Sequence, residues 1–181
     1  MILLANQEAR SKALRQRNAL SKDSIRIYSQ QICQLLRPYL IGKIASYRAY
    51  GSEVDLSYIE HYPEVTSIAY PRTYGEASME FIPCNKTMRY RKGAYGIEEP
   101  DEGEPWEPED IDVILVPMVA YDRQLHRVGH GKGYYDRYLK HTKALKIGIA
   151  FCVQEVDTIM AQDHDVTMDM IVTEEGILHK G

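Results

Sequence analysis

Two short apolar segments constrain the fold of this 181-residue chain more than any other feature. Residues 111–116 and 145–151 are almost continuously hydrophobic instead of alternating between apolar and polar side chains. That pattern is typical of strands whose two faces are both covered, as in parallel sheets. Helical and extended patterns alternate along the chain. The sequence therefore predicts one domain with a three-layer α/β fold, in which helices flank a largely parallel sheet.

Helix formers, caps and prolines predict the remaining elements. Residues 6–36 contain neither Gly nor Pro and predict two N-terminal helices, the second capped by Ser21 and ended by Pro38. A short helix is predicted over 55–62 with Asp55 as its cap, and a long loop over 93–109. Further strands are predicted over 41–50, 65–69, 79–82 and 170–173. Pro71 and Pro83 are expected to lie between strands.

Composition narrows the range of functions. The net charge is −4 and the isoelectric point is near 5.9, whereas a general nucleic-acid-binding domain is basic. The three cysteines are far apart and lack metal-ligand spacing, which indicates reduced thiols. The apolar start is too short for the core of a signal peptide, and no long apolar run follows it. We therefore expect a cytoplasmic protein without a membrane span.

Glycine, lysine and tyrosine are concentrated in residues 128–139, VGHGKGYYDRYL. The glycines allow main-chain N–H groups to approach an anion closely, and Lys132 adds a positive charge. If a helix begins at Tyr134, its free N–H groups face the same anion, and Asp136 could hold a magnesium ion. The spacing matches neither the Walker A loop nor the dinucleotide fingerprint. On its own, the motif is also compatible with an ordinary glycine-rich turn.

Read with its flanking segments, this motif resembles the signature of the 5-formyltetrahydrofolate cyclo-ligases. A hydrophobic strand ending in Pro117 stands upstream, followed by the aromatic–acid pair Tyr121-Asp122 and then by Arg127. The resemblance extends over almost the whole chain, through KALR (12–15), YPR (70–72), GIEEP (96–100), Gln154 and HD (164–165).

The resemblance implies an enzyme that uses ATP and Mg²⁺ to close 5-formyltetrahydrofolate into 5,10-methenyltetrahydrofolate. Phosphorylation of the formyl oxygen would create a leaving group, N10 would attack the activated carbon, and ADP and phosphate would be released. Catalysis would depend on positioning and charge neutralisation, without an enzyme nucleophile. The implied partners are ATP and the folate, with or without a polyglutamate tail, and neither nucleic acid nor membrane.

The resemblance also assigns roles to single residues. Lys132 and Arg127 would be catalytic, and Asp136 and Asp165 would bind magnesium. The implied ATP site comprises Lys12, Arg15, Arg127, His130, Gly131, Lys132, Gly133, Tyr134 and Tyr135. The family's N-terminal lysine stands where this chain has Ser11, so Lys12 or Arg10 would replace it. The implied substrate site comprises Arg48, Glu53, Tyr95 and Tyr135, and the Glu53 carboxylate would pair with adjacent donors on the pterin edge.

Three positions near the motif depart from the family pattern. His130 replaces an arginine, Met118 replaces the glycine that follows Pro117, and Leu125 replaces a turn glycine. An imidazole is only partly charged near neutral pH and cannot make the forked contact of a guanidinium, so we expect ATP binding to weaken as the pH rises. Two alternatives stay open: a relative that binds folate or nucleotide without turnover, and an enzyme for another small heterocycle.

Overall fold

The computed structural model describes residues 2–85, 89–93 and 96–180. Within these ranges the strands are β1 (Lys43–Ala45), β2 (Ser67–Tyr74), β3 (Ser78–Pro83), β4 (Tyr90–Lys92), β5 (Glu98–Pro100), β6 (Val113–Pro117), β7 (Ala120–Tyr121), β8 (Arg127–Val128), β9 (Leu145–Ile149), β10 (Met170–Thr173) and β11 (Gly176–His179). The α-helices there are α1 (Ile2–Asn18), α2 (Lys22–Leu36) and α3 (Tyr134–Tyr138).

The central sheet has, among the described residues, seven strands in the order β11, β10, β9, β6, β1, β2 and β3. Its inner strands are parallel, since β1 pairs with β2 and β6, and β9 pairs with β6 and β10. The edge strands β3 and β11 run antiparallel to their neighbours. The sheet is therefore largely parallel, as predicted, although β11 was not predicted.

Both faces of the sheet are buried. In β6, Val113 and Leu115 join the core on one face, whereas Ile114 and Val116 join the core on the other. Helix α2 contacts β10 and β11 and covers the first face. Helix α3 helps to cover the second face, where the Tyr138 ring packs on a phenylalanine of β3. The three-layer α/β fold is therefore confirmed.

The N-terminal segment forms two helices, as predicted. Ser21 caps α2, because its Oγ accepts a hydrogen bond from the Ser24 N–H at 3.0 Å. Helix α1 begins at Ile2 instead of residue 6. Helix α2 ends at Leu36 and passes into a 3-10 turn, Arg37–Tyr39, that contains Pro38.

Several predicted boundaries are wrong. The strand over 41–50 is confined to β1, because residues 46–56 continue as a loop. The helix over 55–62 is a 3-10 turn, Ser57–His61, whose cap position is Leu56 instead of Asp55. The Asp55 carboxylate nevertheless accepts a hydrogen bond from the Ser57 N–H at 2.9 Å. Strand β9 ends at Ile149, two residues earlier than predicted.

Pro71 and Pro83 lie within strands instead of between them. Strand β1 pairs only with residues 67–69 of β2, so later N–H groups on that side of β2 have no ladder partner there. The Thr73 N–H donates to the buried Glu99 carboxylate at 2.9 Å instead. Pro71 lies two residues earlier, so its missing N–H leaves no gap in the ladder.

The predicted loop over 93–109 is only partly irregular. It contains β5, which pairs with β4, and a 3-10 turn, Pro108–Asp110. Elsewhere in the described structure the cysteines Cys33, Cys84 and Cys152 are free thiols, as their spacing predicts. Within the same ranges, no helix is both long and apolar enough to cross a membrane.

Candidate functional site

A cavity of about 550 Å³ opens at the carboxyl ends of β1, β2 and β6. Parallel sheets usually bind their ligands at this edge, and the volume is typical of small-molecule sites. Most residues that the sequence assigned to ATP, magnesium or substrate line this cavity, namely Arg48, Glu53, Arg127, His130, Gly131, Lys132, Gly133, Tyr134, Tyr135, Asp136 and Asp165. The assignment of Tyr95 to the substrate falls outside the described residues.

The glycine-rich loop, residues 129–133, leads from β8 into α3 along one wall of the cavity. Gly131 and Gly133 have φ angles of +104° and +75°, in the left-handed region that side chains with a Cβ rarely adopt. Helix α3 begins at Tyr134, as predicted, but it has only five residues. Its dipole is therefore small, and an anion here would depend mainly on the loop N–H groups and on Lys132 and Arg127.

Arg127 lies at the back of the cavity with a side chain that is 6% exposed. Its Nη1 donates to Asp136 Oδ1 at 3.3 Å, and its Nη2 donates to the Pro117 carbonyl at 3.2 Å. Burial lowers the pKa of Arg127, and the charge of Asp136 acts in the opposite sense. The two Nη atoms thus join the start of α3 to the end of β6, while the buried Nε has no hydrogen-bond partner among the described residues.

The two carboxylates assigned to magnesium, Asp136 and Asp165, line the same cavity. One oxygen of Asp136 pairs with Arg127, while Asp165 accepts from the Gln162 N–H at 2.8 Å and lies 3.4 Å from His164. No group of three metal-ligating side chains occurs in the described part of the chain. Magnesium in nucleotide enzymes is commonly held by one or two carboxylates together with phosphate oxygens. The pair therefore fits a magnesium ion that arrives with phosphates.

Glu53 contributes a buried carboxylate to the same cavity, with its side chain 6% exposed. Its Oε1 accepts from the Tyr50 N–H at 2.8 Å, and its Oε2 lies 3.8 Å from His130 Nε2. The buried Tyr135 hydroxyl has no hydrogen-bond partner within the described structure. Burial and then the charge of Glu53 raise the pKa of Tyr135, which keeps that hydroxyl protonated. The site thus contains a carboxylate acceptor and a buried hydroxyl donor whose hydrogen bond no described protein atom accepts.

The guanidinium of Arg48 contacts the rings of two tyrosines. Its Cζ lies 4.2 Å from the ring centroid of Tyr70 and 4.5 Å from that of Tyr90, and its Nη2 donates to the Tyr90 hydroxyl at 2.8 Å. These cation–π contacts and the hydrogen bond hold the guanidinium beside the two rings. A second cavity of about 530 Å³ adjoins at Arg48 and contains the carboxylates of Glu60 and Glu98.

One face of α1 points into the protein. Asn6 and Arg10 line the cavity, and Ala13 and Arg17 are buried, which is the spacing of one helical face. The Arg10 Nε donates to the Gly129 carbonyl at 2.8 Å.

The assignment of Lys12 and Arg15 to the ATP site does not agree with this geometry. Both side chains are exposed and lie outside the cavity, because they fall between the buried positions of the helix. Of the basic residues considered for this role, Arg10 is the one that reaches the glycine-rich loop.

The turn between β7 and β8 accommodates Leu125 in a left-handed conformation. Leu125 is fully buried and has φ +69°, the only positive φ of a non-glycine residue among those described. The buried Asp122 carboxylate accepts from the N–H groups of Gln124, His126 and Ile159 and lies 3.0 Å from the His126 ring. This carboxylate, which the sequence motif contains, thus holds the turn that leads to Arg127.

Met118 occupies space that a glycine leaves free on the neighbouring strand. A Cβ on Gly148 would lie 2.7 Å from the Met118 Sδ and 3.0 Å from a carbon of Met168. Met118 is 2% exposed, and its carbonyl accepts from Gln154 Nε2 at 2.7 Å. Strand β6 therefore ends in the same cavity without the family's glycine after Pro117.

Sequence reasoning did not identify several cavity residues, including Asn6, Gln7, Tyr47, Tyr50, Thr73, Glu99 and Gln162. The helical spacing of Asn6, Arg10 and Arg17 places them on one face of α1, and this pattern could have indicated Asn6. Tyr47 and Tyr50 follow β1. They were missed because the apolar pattern continues to residue 50, so the sequence did not show where β1 ends.

Comparison with known proteins identifies the family of the chain. Residues 63–174 match the 5-formyltetrahydrofolate cyclo-ligase family. The chain is 31% identical over 178 residues to the 5-formyltetrahydrofolate cyclo-ligase of Mycoplasma pneumoniae, which covers 92% of this chain and 96% of that protein.

Solved structures resemble the fold closely. The 5,10-methenyltetrahydrofolate synthetase of Aquifex aeolicus aligns with a TM-score of 0.84 and 35% identity, over 96% of this chain and 92% of that chain. The 5,10-methenyltetrahydrofolate synthetase of Mycoplasma pneumoniae aligns with a TM-score of 0.78 and 29% identity, over 93% of this chain and 98% of that chain.

Proposed function

Because the chain belongs to the 5-formyltetrahydrofolate cyclo-ligase family, we propose that it converts 5-formyltetrahydrofolate into 5,10-methenyltetrahydrofolate with ATP and Mg²⁺. The observation that carries this proposal is that one cavity is lined by the glycine-rich loop, by the carboxylates of Asp136 and Asp165, and by the carboxylate of Glu53. The cavity thereby combines groups suited to a polyphosphate with groups suited to a polar heterocycle.

The nucleotide lies against the glycine-rich loop in this proposal. Lys132 and the loop N–H groups contact the phosphates. Arg10 holds the loop in place by donating a hydrogen bond to the Gly129 carbonyl. His130 and the tyrosines at the start of α3 complete the nucleotide side. Arg127 is buried and bonded to Asp136 and Pro117, so it fixes the position of Asp136 and adds positive charge.

Asp136 and Asp165 would hold magnesium together with phosphate oxygens. Once bound, it supplies charge neutralisation for the phosphoryl group that is transferred. The pairing of Asp136 with Arg127 orients one carboxylate oxygen and leaves the other for a ligand, since within the described residues only Oδ1 accepts a hydrogen bond.

The folate lies on the Glu53 side of the cavity. The Glu53 carboxylate accepts hydrogen bonds from the aminopyrimidinone edge of the pterin, and the Tyr135 hydroxyl is the nearby donor. Arg48 lies at the junction with the second cavity, where Glu60 and Glu98 disfavour additional carboxylates. Arg48 therefore contributes to shaping the substrate site more than to binding a long polyglutamate tail.

The reaction follows from this arrangement in two steps. The formyl oxygen attacks the γ-phosphorus of ATP, and ADP leaves. N10 then attacks the formyl carbon, the carbon–oxygen bond breaks, and phosphate leaves with the former formyl oxygen, while N10 loses its proton. The protein contributes positioning of both substrates and positive charge around the phosphates.

Isotope transfer tests this route directly. With ¹⁸O in the formyl group, the phosphate released by the purified protein should carry one ¹⁸O atom per turnover, as measured by mass spectrometry. Folate-dependent release of unlabelled phosphate would exclude the phosphorylated formyl intermediate. ATP binding without any folate-dependent phosphate release would favour a relative that has lost turnover.

A further inference from the structure

Arg17 is a buried cation behind the substrate side of the cavity. It is 3% exposed and does not line the cavity. Its Nε donates to the Ser52 hydroxyl at 2.9 Å, and its Nη1 donates to the Met118 carbonyl at 3.4 Å. Through these contacts, one side chain of α1 joins the loop that precedes Glu53 to the end of β6.

Burying this charge has an electrostatic consequence for Glu53. Burial lowers the pKa of Arg17. Of the influences that raise this pKa, the negative charge of Glu53 is the largest. The attraction is mutual, so the Arg17 charge also stabilises the charge of the buried Glu53 carboxylate.

We propose that Arg17 is a positioning residue that fixes Glu53 for the substrate, by holding Ser52 in place and by balancing the Glu53 charge. This proposal rests on the proposed function, in which Glu53 binds the pterin edge. Arg17 cannot touch the substrate, since it lies outside the cavity. Its effect must therefore pass through Ser52 and Glu53.

The local contacts make this effect specific to one substrate. The Ser52 hydroxyl also donates to Asn18 Oδ1 at 2.5 Å. Two adjacent residues of α1, Arg17 and Asn18, therefore both contact Ser52. The glycine-rich loop is held by a different residue of the same helix, Arg10. Loss of the Arg17 contacts therefore loosens the Glu53 loop, which keeps only its Asn18 contact to α1 through Ser52, while the Arg10 contact to the glycine-rich loop stays in place.

The test compares steady-state constants of wild type, Arg17→Gln, Arg17→Lys and Ser52→Ala. We expect Arg17→Gln to raise the KM for 5-formyltetrahydrofolate about tenfold or more, with kcat and the KM for ATP changed by less than about threefold. Arg17→Lys keeps the charge but loses the fork, and should lie between wild type and Arg17→Gln. Arg26→Gln removes an exposed arginine and should match wild type.

A double-mutant cycle with Glu53→Gln separates positioning from general damage. If Arg17 acts through Glu53, adding Arg17→Gln to Glu53→Gln should raise the folate KM by less than about twofold further. Fully additive effects would overturn the proposal, as would an equal rise in both KM values. If Arg17→Gln does not fold, Ser52→Ala decides, and an unchanged folate KM in that variant would overturn the proposal. Failure of the proposed function itself would appear differently, as absence of product from wild type.

Discussion

The Nε2 atom of His130 lies 3.8 Å from Oε2 of Glu53, which links the glycine-rich loop to the loop that carries the substrate-side carboxylate. A side chain in this place can contact a nucleotide phosphate on one side and Glu53 on the other. The two halves of the cavity are thus connected by His130.

We expect the affinity for ATP to fall as the pH rises from 6 to 8, because a neutral imidazole attracts phosphate less than a charged one does. His130→Arg carries a permanent charge and provides the comparison, since the titration of ATP itself affects both proteins equally. Isothermal titration calorimetry at several pH values measures the difference. Identical pH dependence in both proteins would show that His130 does not contribute.

Arg127→Lys should destabilise the protein and reduce turnover. The substitution keeps the charge but cannot make both the Asp136 and the Pro117 contacts, so the loss is about 1–3 kcal/mol of unfolding free energy. Urea unfolding measures that loss, and Arg123→Lys, at an exposed arginine of the preceding turn, is the matched control. Equal stability of the two variants would mean that the Arg127 fork does not hold the site together.

Two substitutions of Leu125, to alanine and to glycine, should rank in an unusual order of stability, with glycine above alanine. A buried leucine truncated to alanine typically costs about 2–5 kcal/mol, while a left-handed backbone penalises any residue with a Cβ by roughly 1–2 kcal/mol. Both Leu125→Ala and Leu125→Gly should therefore be less stable than wild type. Glycine should nevertheless be the more stable of the two variants, by about 1 kcal/mol. Thermal unfolding that ranked alanine above glycine would contradict the positive φ of this residue.

The contact between Gly148 and Met118 predicts a compensating pair of substitutions. Gly148→Ala alone forces a Cβ against the Met118 sulphur and should cost about 1–3 kcal/mol. In a Met118→Ala background the added methyl group fills vacated space, so the same change should cost much less or stabilise. Chemical denaturation of the four proteins in this cycle measures the coupling, and additive effects would argue against the packing.

The sequence predicted those parts of the site that depend on neighbouring residues. The start of α3 at Tyr134 follows from the glycine-rich loop, and the buried strand β6 follows from its continuous apolar run. Packing between distant segments could not be predicted in the same way. Whether Met118 fits depends on Gly148, thirty positions later in the numbering, and which face of α1 is buried decides between Arg10 and Lys12. Strand β11 was missed because its single antiparallel pairing leaves only a weak pattern.

Absorbance of the methenyl product tests the central claim most directly. Purified protein mixed with MgATP and 5-formyltetrahydrofolate should produce the absorption band of 5,10-methenyltetrahydrofolate. Asp136→Ala should abolish the signal, whereas Asp157→Asn, at an exposed position outside the cavity, should leave it intact. If the wild-type protein binds ATP but yields no methenyl product, the proposed conversion of 5-formyltetrahydrofolate is wrong.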